Sequence, residues 1–300
     1  MITSAPPEQN QSLFSKIRLF LEMIKFSHTL FALPFAFTGG VLAARGLPTA
    51  PQCGWILVAM VGARTVAMGL NRLIDAEIDG KNPRTSGRAI PAGLLGKGTV
   101  LIYILLSLAL LLVAAYRLNP LCLKLAPVAI FFLVLYSYCK RFTSLAHVVL
   151  GLCLAAAPLG AWIAIRGNVE LPIILIALAV LLWVTGFDIL YALQDLEFDR
   201  ASGLHSIPVR LGVTGSLWAS RLCSLATVLL LLAAWWLFPL GGFFLAGIVL
   251  SAALLIYEQW LLRHGDLSRL DAAFFTMNAW VSVIIFTATL LESFAGKGIS

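Results

Sequence analysis

Carboxylate side chains are concentrated in two short stretches of an otherwise apolar chain of 300 residues. The stretches run from Asn71 to Asp79 and from Asp188 to Asp199. They hold seven of the fourteen acidic residues, namely Asp75, Glu77, Asp79, Asp188, Asp195, Glu197 and Asp199. Carboxylate and amide oxygens suit magnesium, which commonly binds one or two carboxylates together with substrate phosphate. The residue types therefore predict a divalent metal beside a diphosphate substrate.

Helical spacing gives each stretch one polar face. The first face, in a stripe under about 90° wide, contains Arg64, Met68, Asn71, Asp75 and Asp79. The second, provided that its helix continues past Ala192, contains Asp188, Tyr191, Asp195 and Asp199. Carboxylates facing each other in a low-dielectric site repel unless cations lie between them. One copy alone would indicate surface charge paired with Arg72, Lys81 and Arg200, but two copies favour a metal and diphosphate site.

Basic residues near these faces are candidates for binding the substrate's negative groups. Arg64 lies well inside an apolar run, where a charge is costly and usually faces a polar cavity; packing beside a carboxylate is the alternative. The candidates in the connections are Arg84, Arg88, Lys140 and Arg141. Lys140 and Arg141, with Tyr136 one turn earlier, could hold diphosphate oxygens or an acceptor's carboxylate, or they could act only as topology determinants. Arg84 and Arg88 could fold over the leaving diphosphate.

Composition indicates the class of protein that carries these faces. The chain is 60% hydrophobic and 12% charged, with a mean hydropathy of +0.95, whereas soluble domains are about 25% charged. We therefore predict an all-α integral membrane protein built as one bundle, without a separate soluble domain. The formal net charge of +7 comes mainly from basic residues between apolar runs. That distribution argues against a nucleic-acid partner.

Nine apolar segments are long enough to cross a membrane. We predict a bundle of nine transmembrane helices near residues 27–44, 53–73, 98–116, 120–138, 145–165, 171–191, 216–238, 241–262 and 272–292. Residues 1–26 are predicted to form an N-terminal tail with an interfacial helix over 13–24, for which an extension of the first span is the alternative. Residues 27–300 would form the nine-helix domain.

Lysine and arginine residues are distributed unevenly between the connections. With the N-terminus inside, fourteen of the 21 lie in inner segments and five in outer ones, which is a positive-inside bias. The N-terminus and both acidic stretches are therefore predicted to face the cytoplasm. A weak repeat, Asp75-x-x-x-Asp79 and Asp195-x-x-x-Asp199, has a spacing of 199 − 79 = 120 residues. It favours two four-helix pseudo-repeats plus one further helix.

Several short motifs recur together from about Lys25 to the end of the chain. They are Asn71-x-x-x-Asp75-x-x-x-Asp79, Asp188-x-x-Tyr191-x-x-Gln194-Asp195-x-x-x-Asp199, Asn82-Pro83-Arg84-Thr85, Tyr136-x-x-x-Lys140-Arg141 and Gly203-Leu204-His205-Ser206-Ile207-Pro208. With nine predicted spans, this set resembles the UbiA-type intramembrane prenyltransferases. Its form is most similar to the 4-hydroxybenzoate polyprenyltransferase branch and its relatives in menaquinone synthesis through futalosine.

The resemblance implies a magnesium-dependent enzyme of the bacterial inner membrane. It would transfer a polyprenyl group from a polyprenyl diphosphate donor to a ring carbon of a hydroxyaromatic acid acceptor, in ubiquinone or menaquinone biosynthesis, with membrane lipid as its surroundings. The implied metal ligands are Asn71, Asp75, Asp79, Asp195 and Asp199. Asp195 and Asp188 are the implied catalytic residues, and Asp188 would position the acceptor or act as a base. The implied substrate-binding residues are Arg64, Arg84, Arg88, Tyr136, Lys140, Arg141 and Tyr191.

Other function classes fit the chain less well. A membrane transporter would place its charges nearer the middle of the membrane. Phosphoalcohol transfer from a nucleotide-activated lipid uses a signature resembling Asp-Gly-x-x-Ala-Arg, whereas Asp79-Gly80 is followed here by Lys81-Asn82-Pro83-Arg84. The histidines lack a short metal-ligand spacing; they are His28, His147, His205 and His264. Within the prenyltransferase class, 1,4-dihydroxy-6-naphthoate is the alternative acceptor.

Overall fold

The computed structural model describes residues 12–25, 32–238, 240–262 and 277–295, and their regular structure is helical. The helices are α1 (Leu13–Met23), α2 (Leu33–Ala44), α3 (Ala50–Ile74), α4 (Ala76–Lys81), α5 (Lys97–Leu118), α6 (Pro120–Cys139), α7 (Ala146–Arg166), α8 (Leu171–Ala192), α9 (Leu196–Ala201), α10 (Ile207–Leu237), α11 (Gly242–Leu261) and α12 (Asn278–Phe294). A 3₁₀ turn, Leu193–Asp195, lies between α8 and α9.

Seven of the described helices are long and apolar enough to span a membrane: α3, α5, α6, α7, α8, α10 and α11. Two shorter apolar helices, α2 and α12, correspond to the first and ninth predicted spans. Those two spans were predicted to begin at residues 27 and 272, which lie outside the described residues. The all-helical prediction is confirmed, and the seven long helices match predicted spans closely.

The long helices follow one another around a ring. Each packs against the next in chain order, and α12 packs against α2, so the described helices close the ring. The helix α2 also packs against α7, where a Cβ at Gly39 would overlap the carbonyl of Pro158. A Cβ at Gly151 would likewise overlap the carbonyl of Leu181, so α7 and α8 approach closely. Small residues at such crossings are typical of helix packing in membranes.

The interior and exterior of the ring differ as expected for a membrane protein. Of the seven long helices, α8 is the most buried, and its Trp183 and Phe187 stack edge to face in the largest core cluster. In contrast, α5 exposes a row of leucines that consists of Leu101, Leu105, Leu106 and Leu110. Because hydrocarbon solvates such side chains, a contiguous exposed apolar surface indicates contact with lipid.

The N-terminal helix α1 is separate from the first apolar span. It ends at Met23, and Lys25 adopts a left-handed φ of 48° before the segment that leads to α2. Phe20 and Met23 are buried against α3 and α5, whereas Leu13 and Phe14 are exposed. The location of this helix at the membrane interface stays a prediction. The division of the chain into an N-terminal tail, residues 1–26, and a nine-helix domain, residues 27–300, also stays a prediction.

The seventh predicted span corresponds to the C-terminal part of a longer helix, α10. A break at Gly212, with φ 68° and ψ −174°, divides α10 near its start. Glycine adopts this left-handed φ without the steric cost that a Cβ imposes. The predicted start at residue 216 therefore lies just beyond a real break in the helix.

Candidate active site

The first acidic stretch does not lie on one uninterrupted helix. Helix α3 ends at Ile74, and Asp75 has φ −90° and ψ 4° before the six-residue helix α4 begins. Helical hydrogen bonding nevertheless continues, since the Asp75 N–H donates to Asn71 O and the Asp79 N–H donates to Asp75 O. The predicted stripe from Arg64 to Asp79 is therefore preserved in outline but bends at Asp75. We call residues 71–81 the first acidic junction.

The second stretch is built in the same way. Helix α8 ends at Ala192, a 3₁₀ turn follows, and Asp195 has φ −102° and ψ 4° before the six-residue helix α9. The condition that α8 continues past Ala192 as an α-helix is therefore wrong. A 3₁₀ turn is tighter than an α-turn, so it shifts Asp195 and Asp199 relative to Asp188. We call residues 188–201 the second acidic junction.

Burial separates the aspartates from the glutamates at both junctions. Asp79, Asp195 and Asp199 are buried, whereas Glu77 and Glu197 are exposed. Buried carboxylates require charged or hydrogen-bonding partners. Burial raises the pKa of the Asp75 carboxyl, and the neighbouring Arg141 guanidinium offsets part of that rise.

Cations from two connections pair with the first acidic junction. Arg141, just after α6, approaches Asp75 Oδ1 at 2.9 Å and also donates to the Ile74 carbonyl at 3.0 Å. Arg88, in the connection after α4, places its Nη1 2.6 and 2.7 Å from the two Asp79 carboxylate oxygens. Asn71 Nδ2 donates to Asp75 Oδ2 at 2.8 Å. Each metal-binding candidate here thus has a polar contact.

The same two connections supply cations to the second acidic junction. Arg84 makes a bidentate salt bridge with Asp195, in which Nε lies 2.8 Å from Oδ1 and Nη2 contacts Oδ2. Asn82 Nδ2 donates to the same Oδ1 at 2.9 Å. Lys140 Nζ lies 3.1 Å from Asp199 Oδ2. Four aspartates and four basic side chains therefore form four ion pairs, and the Arg84–Asp195 pair joins the connection after the first junction to the second junction. We call these four ion pairs the network.

The remaining candidates lie at different depths around this network. Tyr191 places its ring 5.6 Å from the Arg84 guanidinium carbon, with its hydroxyl 3.5 Å from Nη1. Tyr136 is partly buried on α6, one turn before Lys140. Arg64 donates to the Lys25 carbonyl at 3.3 Å, and no described contact joins it to the four ion pairs.

Two polar residues at the site were not among the predicted site residues. Asn82 was quoted only as part of a motif, yet it contacts Asp195 directly. His147, treated as one of four scattered histidines, lies 2.7 Å from Asp188 through its Nδ1. No short-range spacing indicates either contact, because 113 and 41 positions separate the partners.

The donor set fits magnesium in its chemistry. The candidate ligands are all oxygens from Asn or Asp side chains, which a hard cation prefers. Among the described residues, no three His, Cys, Asp or Glu side chains converge on a single metal position. A magnesium ion bound here would therefore take one or two carboxylates and complete its shell with water or phosphate oxygens, as this ion commonly does.

Comparison with known proteins gives a consistent family. Residues 32–281 match the sequence model described as the UbiA prenyltransferase family, a span that includes both acidic junctions. The chain is 31% identical over 252 residues to a protein named 4-hydroxybenzoate octaprenyltransferase from Tolumonas auensis. The alignment covers 83% of this chain and 87% of that relative.

Solved structures extend the similarity to the fold. The apo structure of a UbiA homologue from Aeropyrum pernix K1 is similar with a TM-score of 0.82 and 32% identity, covering 89% of this chain and 98% of that one. A UbiA homologue from Archaeoglobus fulgidus bound to GPP and Mg2+ has a TM-score of 0.66 at 22% identity, covering 92% and 98%. This second similarity concerns the fold alone.

Proposed function

The chain belongs to the UbiA prenyltransferase family, and we propose that it transfers a polyprenyl group from a polyprenyl diphosphate to a ring carbon of a hydroxyaromatic acid. An acceptor of the 4-hydroxybenzoate type is supported by the name of a relative that is 31% identical over most of both chains. The reaction serves ubiquinone or menaquinone biosynthesis. The acceptor 1,4-dihydroxy-6-naphthoate is the alternative within the same class.

One observation carries this proposal, namely the shared network of four aspartates and four basic side chains. Each of the four aspartates contacts a cation that comes from one of two connections. A donor diphosphate needs cations around its oxygens and metal ions between itself and the carboxylates. In each of the four pairs a cation that could bind phosphate lies beside a carboxylate that could bind metal, which supports the proposal.

The metal ligands in this proposal are Asn71, Asp75, Asp79, Asp195 and Asp199. Their oxygens match the preference of magnesium, and the two junctions present them from helix ends that pack in the same bundle. When bound, magnesium neutralises charge on the departing diphosphate. A family member of the same fold has been solved with GPP and Mg2+, which supports this choice of ion.

Basic side chains hold the diphosphate while its bond to the allylic carbon breaks. We assign this role to Arg84, Arg88, Lys140 and Arg141. Arg84 offers a planar fork that can bind two phosphate oxygens at once, whereas Lys140 acts as a point charge. These cations pair with aspartates in the structure. When the donor binds, they exchange the carboxylate for the diphosphate through small side-chain movements.

The acceptor ring is attacked at the carbon beside its hydroxyl. Tyr136 and Tyr191 present aromatic faces that stabilise the allylic cation, and the apolar bundle excludes the water that would trap it. Asp188, one turn before Tyr191 on α8, positions the acceptor or takes its proton. Arg64, deeper on α3, is proposed to bind a negative group of a substrate inside the bundle.

We place the protein in the bacterial inner membrane, with its N-terminus and both acidic junctions at the cytoplasmic side. The uneven distribution of Lys and Arg supports this orientation. We retain nine transmembrane helices within residues 27–300 because α2 and α12 are apolar and complete the ring. A repeated helix break at Asp75 and Asp195 supports two pseudo-repeats.

The proposal is tested with purified protein in detergent or lipid nanodiscs. The assay supplies Mg2+, a polyprenyl diphosphate and either 4-hydroxybenzoate or 1,4-dihydroxy-6-naphthoate. We expect diphosphate release and a C-prenylated product, both abolished by EDTA, with mass spectrometry identifying the product. The acceptor with the higher kcat/KM identifies the branch.

Absence of product with every acceptor, in a sample that still melts cooperatively, would contradict the proposal. Uptake of a labelled substrate into reconstituted vesicles without any product would instead support the transporter class. Product formation that survives thorough metal removal would overturn the metal assignment while leaving the transfer reaction in place.

A further inference from the structure

A buried histidine lies against the proposed acceptor-side carboxylate. His147, the second residue of α7, is 1% exposed, and its Nδ1 lies 2.7 Å from Asp188 Oδ2 on α8. The Asp188 side chain keeps 18% exposure. One edge of the carboxylate therefore meets the histidine while another stays accessible to a molecule in the site.

The second ring nitrogen of His147 determines which tautomer is present. The backbone N–H of Ile207, the first residue of α10, points to His147 Nε2 at 3.4 Å. An N–H donor at Nε2 requires a lone pair there, so in the neutral ring the proton is on Nδ1. We assign from this network an Nδ1–H that donates to Asp188 Oδ2.

Asp188 lies close to the diphosphate network. It is three positions before Tyr191 on α8, so both side chains share one face of the helix. The Tyr191 hydroxyl lies 3.5 Å from Arg84 Nη1, and Arg84 forms a salt bridge with Asp195. Asp188 therefore lies one helical turn from the tyrosine that contacts Arg84.

We propose that His147 is a positioning residue that holds Asp188 as the proton acceptor for the phenolic hydroxyl; this inference rests on the function proposed above. Once the allylic carbon has left the diphosphate oxygen, with the bonding pair remaining on that oxygen, the ring carbon beside the hydroxyl bonds to the allylic cation. Asp188 takes the phenolic proton in the same step, and a neutral dienone results. The ring hydrogen then leaves to the released diphosphate while Asp188 returns its proton to the oxygen.

The position of His147 explains why the carboxylate needs a partner. An Asp side chain rotates about two bonds, and catalysis by proton transfer depends on a hydrogen-bonding geometry held near 2.6 to 3.2 Å. The buried imidazole is itself fixed by Ile207 and therefore fixes one carboxylate oxygen.

Two substitutions separate the two contacts of the ring. In His147→Asn the side-chain amide occupies the Nδ1 position and can donate to Asp188, but the contact with Ile207 is lost. In His147→Gln the amide reaches the Nε2 position and can accept from Ile207, but the donor to Asp188 is lost. We expect the Asn variant to keep kcat within about 3-fold and the Gln variant to lose about 10²-fold, the lower range for proton-transfer catalysis.

The Michaelis constant and a double variant complete the test. KM for the polyprenyl diphosphate should change less than about 3-fold in the Gln variant, because the donor network is not contacted by His147. Asp188→Asn should lose kcat to the same degree, and adding His147→Gln to it should cause little further loss, since both act in one step. His205→Asn, which changes an exposed histidine in the next connection, is the matched control.

A reversed order, with Asn more damaging than Gln, would show that His147 anchors α10 and would overturn the inference. Equal losses in both variants accompanied by a lower Tm would do the same. If the single variants fold poorly, additive losses in the double variant also count against it. Failure of the proposed function is a separate result, namely no product from the wild-type protein.

Discussion

The two acidic junctions have similar backbone conformations, but only the connection that follows the first junction carries basic side chains. At both, an aspartate with nearly identical dihedral angles directly precedes a six-residue helix, and a second aspartate follows four positions later. The connection after the first junction carries Arg88 for its own Asp79 and Arg84 for Asp195 of the other junction. The connection after the second junction, residues 202–206, contains no Lys or Arg.

The second connection is instead held through backbone contacts. The His205 N–H donates to the Lys140 carbonyl at 2.7 Å, and the Ile207 N–H points to His147. The connection after the first junction therefore supplies cations to both junctions. The connection of residues 202–206 supplies none and is held by hydrogen bonds. The difference teaches that the carboxylates of the two junctions are repeated whereas the cations of the connections that follow them are not.

The largest expected effect tests whether the two junctions are equivalent in metal binding. Asp75→Ala and Asp195→Ala should each lower kcat by about 10³-fold or more, since metal stabilisation of the leaving group contributes several kcal/mol. The exposed neighbours provide matched controls, and Glu77→Ala and Glu197→Ala should retain activity. Turnover by the purified variants is the measurement. Full activity in either aspartate variant would remove that junction from the metal site.

A smaller effect tests the difference between the two arginines of the first connection. Arg84 binds Asp195 through a two-nitrogen fork, whereas Arg88 uses one nitrogen against both oxygens of Asp79. Lysine can replace a single point contact but not a fork. Arg84→Lys should lower kcat/KM for the donor by about 10- to 100-fold, the loss of one charge-assisted hydrogen bond.

In the matched variant Arg88→Lys, kcat/KM for the donor should fall about tenfold less than in Arg84→Lys. Arg84→Lys should also have the lower Tm, because its ion pair joins segments 111 positions apart in the chain. Steady-state kinetics and thermal melts of both variants provide the comparison. Identical losses in the two variants would show that the fork has no special role.

The smallest effect concerns the connection of residues 202–206. The Ser206 hydroxyl caps α10 by accepting the Val209 N–H at 3.2 Å. Ser206→Ala should lower stability by about 0.5 to 2 kcal/mol and leave kcat within about 3-fold, because the connection supplies no charge to the substrate. Ser202→Ala, at an exposed position, is the control. A large loss of kcat at unchanged Tm would instead place this connection in the catalytic machinery.

The sequence alone was sufficient for the family, the helical class and most span boundaries. The UbiA resemblance is confirmed by the family match over residues 32–281. Apolar runs of membrane length leave the backbone no alternative to helix in lipid, so composition and periodicity determine the spans. The motif spacing identified the aspartates as site candidates, and their roles as metal ligands stay predictions.

Only the tertiary structure decided which cation meets which carboxylate. Periodicity on one helix carries no information on contacts between residues 41 to 113 positions apart, such as His147 with Asp188 or Asn82 with Asp195. The helix breaks at Asp75 and Asp195 were also invisible, because no glycine or proline marks them and an i, i+4 spacing fits a straight helix equally well. Helix packing around the ring set these contacts, and with them the asymmetry of the site.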